Sequence, residues 1–432
     1  MLVRNRRPGF SGSLSAPAGS PASQGLDGSL QGLTPGHPGW RSFVWALFLA
    51  GFVTFDLVFA PQAFLPTLSA ELNLNADTAA ISVSATTFGV AAGVLVWASV
   101  SDRIGRMRAI RLSLILAFVV AVAVPFLPTI ETLLAARFVE GLLLGAAPAV
   151  GMAYIAERVD GRWAAQAAGT FVAGNTIGGI VGRIGSGLVA DFGGWRLAFG
   201  ASTVIAAASI GAFLLLTRQI QDRPPQSTPV SAFAGIRANL RDPYMISLYL
   251  QGFLLMGAFG VIYNYFGYHV QEAPFLVPPA VVSLIFVAYL AGTASSRLSA
   301  SFVGRFGHLR VILFGISTMI VGLALMLVPS LVVVIVGFVI FTIGTFSAHP
   351  VASGLTGQRA QLGRAQATAL YQLSWLAGTS FFGWLAGVVF VSAGWTFAVL
   401  MVALMCAASG IIAVVGLRVF AGRRPLPPRR DN

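Results

Sequence analysis

Stretches of about twenty apolar residues alternate with short polar joints along most of the chain. A helix that crosses a bilayer needs roughly 20 apolar residues, so each stretch predicts one membrane-spanning helix. The sequence therefore predicts an all-α membrane protein. Its twelve expected segments lie at residues 42–65, 79–99, 109–127, 131–155, 164–190, 195–217, 244–270, 278–299, 309–328, 331–353, 365–391 and 395–417.

A repeat with a period of about 200 residues divides the twelve segments into two sets of six. The string RIGRMR at 103–108 recurs as RFGHLR at 305–310, and Gly-Trp at 194–195 recurs at 394–395. This pattern predicts two six-helix bundles in parallel repeat. The expected organisation is a disordered cytoplasmic tail at 1–41, bundles at 42–217 and 244–417, a cytoplasmic linker at 218–243 and a basic cytoplasmic tail at 418–432.

Composition excludes several classes of protein. With 56% hydrophobic and only 9% charged residues, the chain has too little polar surface for a soluble protein of this size. The net charge of +13 comes from Arg spread over joints and tails, without a polar domain to bind nucleic acid. Cys406 is the single cysteine, which excludes a disulfide framework and a cysteine zinc site.

The positions of the Arg residues predict the orientation in the membrane, because short cytoplasmic loops collect Lys and Arg. If the N-terminus is cytoplasmic, twelve Arg fall in the inner joints and nine more in the tails. The six outer joints hold no Arg or Lys, but they hold Glu71, Asp77, Asp191 and Glu272. We therefore expect a multi-pass protein of the bacterial inner (plasma) membrane with both termini in the cytoplasm.

Three motifs in the first half carry a resemblance to a known family. They are DRIGR at 102–106, Arg137 with Gly141 and Gly145 at a spacing of four, and GNTIGGIVGR at 174–183. From residue 42 to 417 the chain resembles the major facilitator superfamily, which implies a twelve-helix fold with both termini cytoplasmic. NYFGY at 264–268 and Ala348-His349 resemble more narrowly the bacterial drug and sugar efflux permeases, a drug:proton antiporter branch.

This resemblance implies proton-coupled export of a small organic molecule by alternating access. The proton gradient is the expected energy source, without a cofactor. The expected partners are the small-molecule substrate, protons and membrane lipids, with the monomer as the functional unit and no role for nucleic acid.

Four charged residues lie inside predicted spans, where each costs about 2.5 to 3.5 kcal/mol near the bilayer centre. They are Asp56, Arg137, Glu140 and Arg183. At about 1.5 Å per residue, the two Arg lie roughly 10 Å and the two acids roughly 14 Å below the outer boundary. Arg137 and Glu140 are three residues apart and can pair directly. We expect a proton-coupling network with Asp56 as the principal proton carrier; the alternative is a purely structural ion network.

Polar and aromatic residues in the second half are candidates for the substrate wall, since a polar tip in an apolar segment needs a partner. Two alternatives stay open. Tyr268 can belong to an interfacial belt. His349 could titrate near neutral pH, but it can also be a hydrogen-bonded structural residue. The candidates are Asn264, Tyr265, Tyr268, His349, Gln372 and Trp375.

Asp102, Arg103 and Arg106 form a candidate gating latch between the helix bundles. Gly105 permits a tight turn, and Asp102 can accept charge-assisted hydrogen bonds from either Arg. The alternative is that these Arg only reflect the enrichment of Arg in cytoplasmic loops. The glycines at 174–187 resemble a phosphate-binding loop only superficially, because no strand precedes them; small residues at a spacing of four instead favour close helix packing.

Other function classes fit less well. The runner-up is a proton-coupled importer or facilitator of a small anionic or sugar-like solute, because Arg137 and Arg183 could bind an anion. A membrane-embedded enzyme is a distant third: no catalytic motif appears, and the four His are too scattered for a metal site. A channel would not need two gated halves.

Overall fold

The computed structural model describes residues 32–218, 220 and 232–419. Within these ranges the chain is almost entirely helical, with one isolated bridge between Leu33 and Val159. The predicted fold class, an all-α membrane protein, is confirmed. The parts of the predicted tails and linker at 1–31, 219, 221–231 and 420–432 lie outside the described residues.

Fourteen α-helices account for most of the described residues, and short 3-10 or π turns extend some of them. In chain order the helices are α1 Trp40–Phe59, α2 Leu65–Leu72, α3 Ala76–Ile104, α4 Arg106–Ala123, α5 Ile130–Leu144, α6 Ala146–Arg158, α7 Gly161–Thr217, α8 Ala232–Arg241, α9 Pro243–Gln271, α10 Pro279–Ile285, α11 Ala288–Phe306, α12 His308–Leu325, α13 Leu331–Arg359 and α14 Arg364–Val414.

Ten of the described helical stretches are long and apolar enough to cross a membrane. Two of them contain 57 and 54 residues, more than twice the roughly 20 residues that one crossing needs. Each of these bends at a glycine with positive φ, 68° at Gly194 in α7 and 81° at Gly394 in α14. Because glycine lacks a Cβ atom, it adopts this conformation without steric cost. The two bent helices therefore supply two crossings each, and the chain makes the predicted twelve.

The backbone repeats between the two halves of the chain, which are Trp40–Thr217 and Pro243–Val414. Gly105 joins α3 to α4 with φ 98°, and Gly307 joins α11 to α12 with φ 80°. The glycine bends of α7 and α14 are a second equivalent pair. The tight turn that the DRIGR motif predicts therefore occurs once in each half.

Two boundaries differ from those expected from the sequence. The backbone around Leu33, inside the predicted disordered tail, is paired: Leu33 N donates to Arg158 O at 2.7 Å and Asp160 N donates to Leu33 O at 3.1 Å. The predicted linker contains α8, where the amide of Asn239 donates to the carbonyl oxygen of Leu362 at 3.1 Å. Short-range apolar patterns do not reveal such backbone docking.

Glycines allow α1 and α7 to pack backbone against backbone. A Cβ atom added at Gly174 or Gly178 would collide with the carbonyl oxygen of Phe48 or Phe52, respectively. The same holds between α3 and α5, where a Cβ atom at Gly141 would collide with the carbonyl oxygen of Thr86. Small residues are favoured where membrane helices approach this closely. The glycines of the fifth segment therefore pack against α1.

The two ends of the bundle differ in charge. We call the end that carries α2 and both glycine bends the Arg-poor end, and the end that carries Gly105 and Gly307 the Arg-rich end. Arg196, which the sequence assigned to the sixth span, lies exposed two residues beyond the Gly194 bend, over the ring of Trp195. The Arg-poor end therefore contains at least one Arg beside its loops.

The halves are joined at the Arg-poor end. There the 3-10 turn Ala60–Ala63 and α2 face α9, α10 packs on α7, and α3 crosses α14. The hydrogen bonds that join described residues of the two halves all lie in this region. They are Gln62 Nε2 to Asn264 Oδ1 at 2.7 Å, Ser69 with Tyr268 at 2.6 Å, Tyr268 to Leu65 O at 2.9 Å and Ser380 to Ser84 O at 2.7 Å. This conformation is closed at the Arg-poor end.

Candidate functional site

Arg137 and Glu140 form a buried ion pair in α5. Arg137 Nη1 lies 2.6 Å from Glu140 Oε2, and both side chains are 1% exposed. Arg137 also donates to the carbonyl oxygens of Leu57 at 2.9 Å, Val58 at 3.1 Å and Ser82 at 3.3 Å. The pairing expected from the three-residue spacing is present, and it fastens α5 to α1 and α3.

Asp56 is fully buried in α1 and has no hydrogen-bond partner among the described residues for either carboxylate oxygen. It lies against α7, where a Cβ atom built on Gly182 would be 2.9 Å from Asp56 Oδ1. An ionised carboxylate buried without partners is strongly disfavoured. Asp56 is therefore chemically suited to hold a proton in this conformation.

Arg183 is fully buried in α7 and forms no ion pair with a carboxylate of the described chain. Its Nε donates to Gln62 Oε1 at 2.8 Å and its Nη1 to Gly179 O at 2.6 Å, while Nη2 has no hydrogen-bond partner in the described chain. Aromatic rings surround the guanidinium at cation–π distances. They are Phe59 at 4.6 Å, Tyr289 at 5.2 Å, Tyr263 at 5.3 Å and Phe286 at 6.0 Å from the guanidinium carbon. Three of these rings belong to the second half.

Three of the candidate substrate residues lie at the closed Arg-poor end. Asn264 and Tyr268 form hydrogen bonds to the first half. Tyr265 is fully buried, and its hydroxyl donates to Gly383 O at 2.8 Å, so it joins α9 to α14. In this conformation Asn264 and Tyr268 are part of the contact between the halves, and a role in substrate binding stays a prediction.

The other candidates gather around the junction of α1, α13 and α14. The Tyr371 hydroxyl lies 2.9 Å from Nδ1 of His349, and the His349 ring is 6.3 Å from that of Trp375. Trp375 stacks on Phe55 of the first half with ring centroids 6.4 Å apart. Gln372, one residue beyond Tyr371, is half-buried. Phe55, His349 and Trp375 therefore bring both halves to one site about midway along their helices, while the place of Gln372 in this site stays a prediction.

The candidate latch makes its ion pairs inside the first half. Arg106 lies 2.6 Å from Asp102 and 2.9 Å from Glu157 of α6, and it also donates to Ser101 Oγ at 2.7 Å. Arg103 is exposed. These bonds fasten the α3–α4 turn to α6. A direct latch between the two bundles stays a prediction.

Sequence reasoning missed three residues that complete these clusters: Gln62, Phe55 and Glu157. Gln62 had a signal, because it is a polar residue beside Pro61 inside an apolar segment. Glu157 lies next to Arg158 at the end of a span and had no distinguishing pattern. Phe55 is one of 32 Phe, and its sequence context does not separate it from lipid-facing or core residues.

Comparison with known proteins identifies the family. The profile of the Major Facilitator Superfamily matches residues 47–302. The chain belongs to this superfamily. It is 36% identical to the inner membrane transport protein YnfM of Escherichia coli (strain K12) over 94% of this chain and 96% of that one. It is 33% identical to the uncharacterized MFS-type transporter YybF of Bacillus subtilis (strain 168), over 86% and 92% of the two chains.

Solved structures agree on the fold. A D-xylose–proton symporter superposes with a TM-score of 0.74 at 16% identity, covering 89% of this chain and 99% of that one. Membership of the superfamily and the similarity to YnfM make the protein a multi-pass inner-membrane transporter of a small molecule. Since its superfamily consists of transporters, it is not an enzyme.

Proposed function

We propose that the protein is a secondary active transporter that couples proton movement to export of a small organic molecule by alternating access. The observation that carries this proposal is Asp56, buried in the first half with no hydrogen-bond partner for either oxygen among the described residues. A carboxyl group in this environment favours its protonated form. When the halves separate at the Arg-poor end, water reaches this region and favours the ionised form instead. Coupling of proton movement to transport requires that the carboxyl group alternate between its protonated and ionised forms.

The charge inventory supports a division of work between the halves. Glu140 forms an ion pair with Arg137, whereas Asp56 has no such partner in the described chain. We therefore assign the role of principal proton carrier to Asp56 and a structural or tuning role to the Arg137–Glu140 pair. The described spans of the second half contain no Asp or Glu. The second half is therefore proposed to bind the solute without carrying a proton, and the proton gradient is the only energy source in this proposal.

The proposed substrate wall includes Phe55, His349 and Trp375, which meet between the halves, together with the half-buried Gln372. Aromatic faces bind apolar parts of a solute, while an amide and an imidazole offer hydrogen bonds. Asn264, Tyr265 and Tyr268 stay in the proposal as residues that contact the solute once the Arg-poor end opens. These side chains together are suited to bind a small, partly apolar organic molecule.

The orientation is part of the same proposal. Because Arg collects in cytoplasmic loops, we place the Arg-rich end and both termini in the cytoplasm. The end that is closed in the conformation described above then faces the periplasm. We also propose that the monomer, surrounded by lipid, is the working unit, since both halves of the site come from one chain.

The runner-up is proton-coupled import or facilitated passage of a small anionic or sugar-like solute. Arg183 favours it, because the guanidinium has a free donor and no carboxylate partner in the described chain. A relative that is 24% identical over 58% of this chain is a cis,cis-muconate transport protein of Acinetobacter baylyi (strain ATCC 33305 / BD413 / ADP1). This alternative requires that the anionic solute bind to the guanidinium of Arg183.

Inverted membrane vesicles decide between the two directions. A thermal-shift screen on purified protein first selects solutes that raise its apparent stability, since ligands of the folded state do so. In inverted vesicles made acidic inside, an exporter accumulates the selected solute, and accumulation should disappear when the gradient is collapsed. Accumulation only in right-side-out vesicles would support import, and gradient-independent equilibration would support facilitation.

A further inference from the structure

Gln62 links a buried charge of the first half to the second half. It lies in the 3-10 turn Ala60–Ala63, which has Pro61 at its second position. This turn interrupts the first span. Its side chain is 1% exposed. Its Oε1 accepts from Arg183 Nε at 2.8 Å, while its Nε2 donates to Asn264 Oδ1 at 2.7 Å. One amide thus bridges a cation in α7 and an amide in α9.

Gln62 and Asn264 occupy equivalent positions in the repeat. They are 202 residues apart, the same offset that separates Gly105 from Gly307. Parallel repeats in this type of transporter are related by an axis along the membrane normal. Equivalent residues that touch each other must lie at that axis. Separation of the halves at the Arg-poor end therefore breaks this contact.

Arg183 determines which way the bridge points. A guanidinium has donors only, so the amide oxygen of Gln62 must face it. The amide nitrogen then faces Asn264 and requires an acceptor there. Three of the four aromatic rings around Arg183, those of Tyr263, Phe286 and Tyr289, also come from the second half. Opening of the Arg-poor end would remove the bridge and these rings together. Arg183 directly follows Gly182, which lies against Asp56, where a Cβ atom on Gly182 would be 2.9 Å from Asp56 Oδ1. The Asp56 carboxylate has no hydrogen-bond partner in the described chain.

We propose that Gln62 is a positioning residue that holds Arg183 away from Asp56 while the Arg-poor end is closed, and that releases it when the halves separate. This inference rests on the alternating-access function proposed above. Gln62 itself contacts neither proton nor solute in this scheme. It acts through Arg183 on one side and through Asn264 on the other.

Spin-label distances test this without a transport assay. Labels at Asn75→Cys and Glu272→Cys, both exposed at the Arg-poor end on opposite halves, report closure in a Cys406→Ala background. Gln62→Leu should shift the population toward the separated state by about tenfold, because two buried hydrogen bonds are lost, one of them to a charged group. Gln62→Glu should stay within about twofold of the parent, since it still accepts from Arg183 and Asn264 can turn its amide to donate.

Gln251 supplies a matched control. It is also fully buried and hydrogen-bonded, but its partner Ser409 belongs to the same half. Gln251→Leu should leave the distance distribution within about twofold of the parent. In an Arg183→Met background the Gln62→Leu shift should be smaller than in the parent, because coupled residues are not additive.

Several outcomes would overturn the inference. If Gln62→Leu leaves the populations unchanged, or if Gln251→Leu shifts them as much, Gln62 contributes only packing. A shift of equal size with and without Arg183 would show that the cation is not involved. A parent protein that gives one distance at every pH and with every selected solute would overturn alternating access itself, and this inference with it.

Discussion

Nη1 of Arg137 lies 2.6 Å from Oε2 of Glu140, one helical turn away on α5 and equally buried. The pair does more than neutralise two charges, because Arg137 also binds carbonyl oxygens of α1 and α3. The α1 carbonyls, those of Leu57 and Val58, lie just before the 3-10 turn Ala60–Ala63. The ion pair therefore organises the same region in which Asp56 and Gln62 lie.

Removal of one partner should be costly. We expect Glu140→Ala to lower the free energy of unfolding by about 3 to 5 kcal/mol, because the change leaves Arg137 buried without its counter-ion. Glu140→Gln should cost less, since its amide oxygen still accepts from Arg137. Unfolding in detergent, followed by loss of helical circular dichroism, measures both. Glu131→Ala, at an exposed position on the same helix, is the control; an equal loss there would refute the explanation.

Asp56→Asn should abolish proton-driven transport and leave solute binding intact. Asn cannot exchange a proton, yet it is nearly isosteric and avoids a buried charge. Solute uptake into inverted vesicles and solute-dependent thermal shifts measure the two properties separately. Asp191→Asn, the same substitution at an exposed position, should leave both unchanged. Uphill transport at the parent rate in Asp56→Asn would mean that Glu140 or another group carries the proton.

Local rules of sequence predicted much of the fold. Segment length and apolar content predicted twelve crossings, and the three-residue spacing predicted contact between Arg137 and Glu140. Glycines four residues apart predicted close helix packing, and the structure shows that the partner of these glycines is α1. All of these features depend on the geometry of one helix or of one adjacent pair, which a sequence pattern can express.

The partners of Arg183 could not be predicted in the same way. Depth alone grouped Arg183 with the other three charges, but the structure surrounds it with rings from the opposite half. Likewise, Asn264 and Tyr268 were chosen as polar residues in an apolar segment that need partners, and their partners are Gln62 and Ser69, about 200 residues away in the chain. Contacts between bundles depend on which end is closed, and a single sequence does not encode one state alone.

Gly178→Ala should destabilise the first half by about 1 to 3 kcal/mol, because the new methyl group meets the carbonyl oxygen of Phe52 and forces α1 and α7 apart. Gly185→Ala in the same helix is the matched control. Its Cβ atom would make only an ordinary 3.5 Å contact with Ile205. Thermal unfolding in detergent compares the two. Equal stability of both variants would contradict the close-packing explanation.

Asp102→Ala and Arg106→Ala should slow transport by changing the populations of the two end states. Arg106 fixes the α3–α4 turn through Asp102 and Glu157, and partly exposed ion pairs of this kind shift an equilibrium by about twofold to fivefold. Solute affinity within one state should change little. Distances between labels on the two halves measure the populations. Unchanged populations together with slow transport would show that the turn is not a conformational latch.

Trp375 and Tyr265 should respond differently to truncation, although the sequence alone grouped them as substrate anchors. Trp375 stacks on Phe55 where the two halves meet, near His349. Trp375→Ala is therefore expected to change which solutes raise the thermal stability, with a loss of about 1 to 3 kcal/mol in binding for the best of them. The proton leak and the pH profile should stay those of the parent.

Tyr265 is fully buried and donates to Gly383 O within the second half. Tyr265→Ala should lower the free energy of unfolding by about 3 to 5 kcal/mol, as loss of a large buried ring does. Tyr265→Phe keeps the ring and should recover most of that stability, which separates packing from the hydroxyl bond. A solute profile that changes in Tyr265→Phe but not in Trp375→Ala would show that the Tyr265 hydroxyl, and not the Trp375 ring, selects the solute. A pH profile that shifts in Trp375→Ala would mean that this ring gates proton access rather than binding the solute.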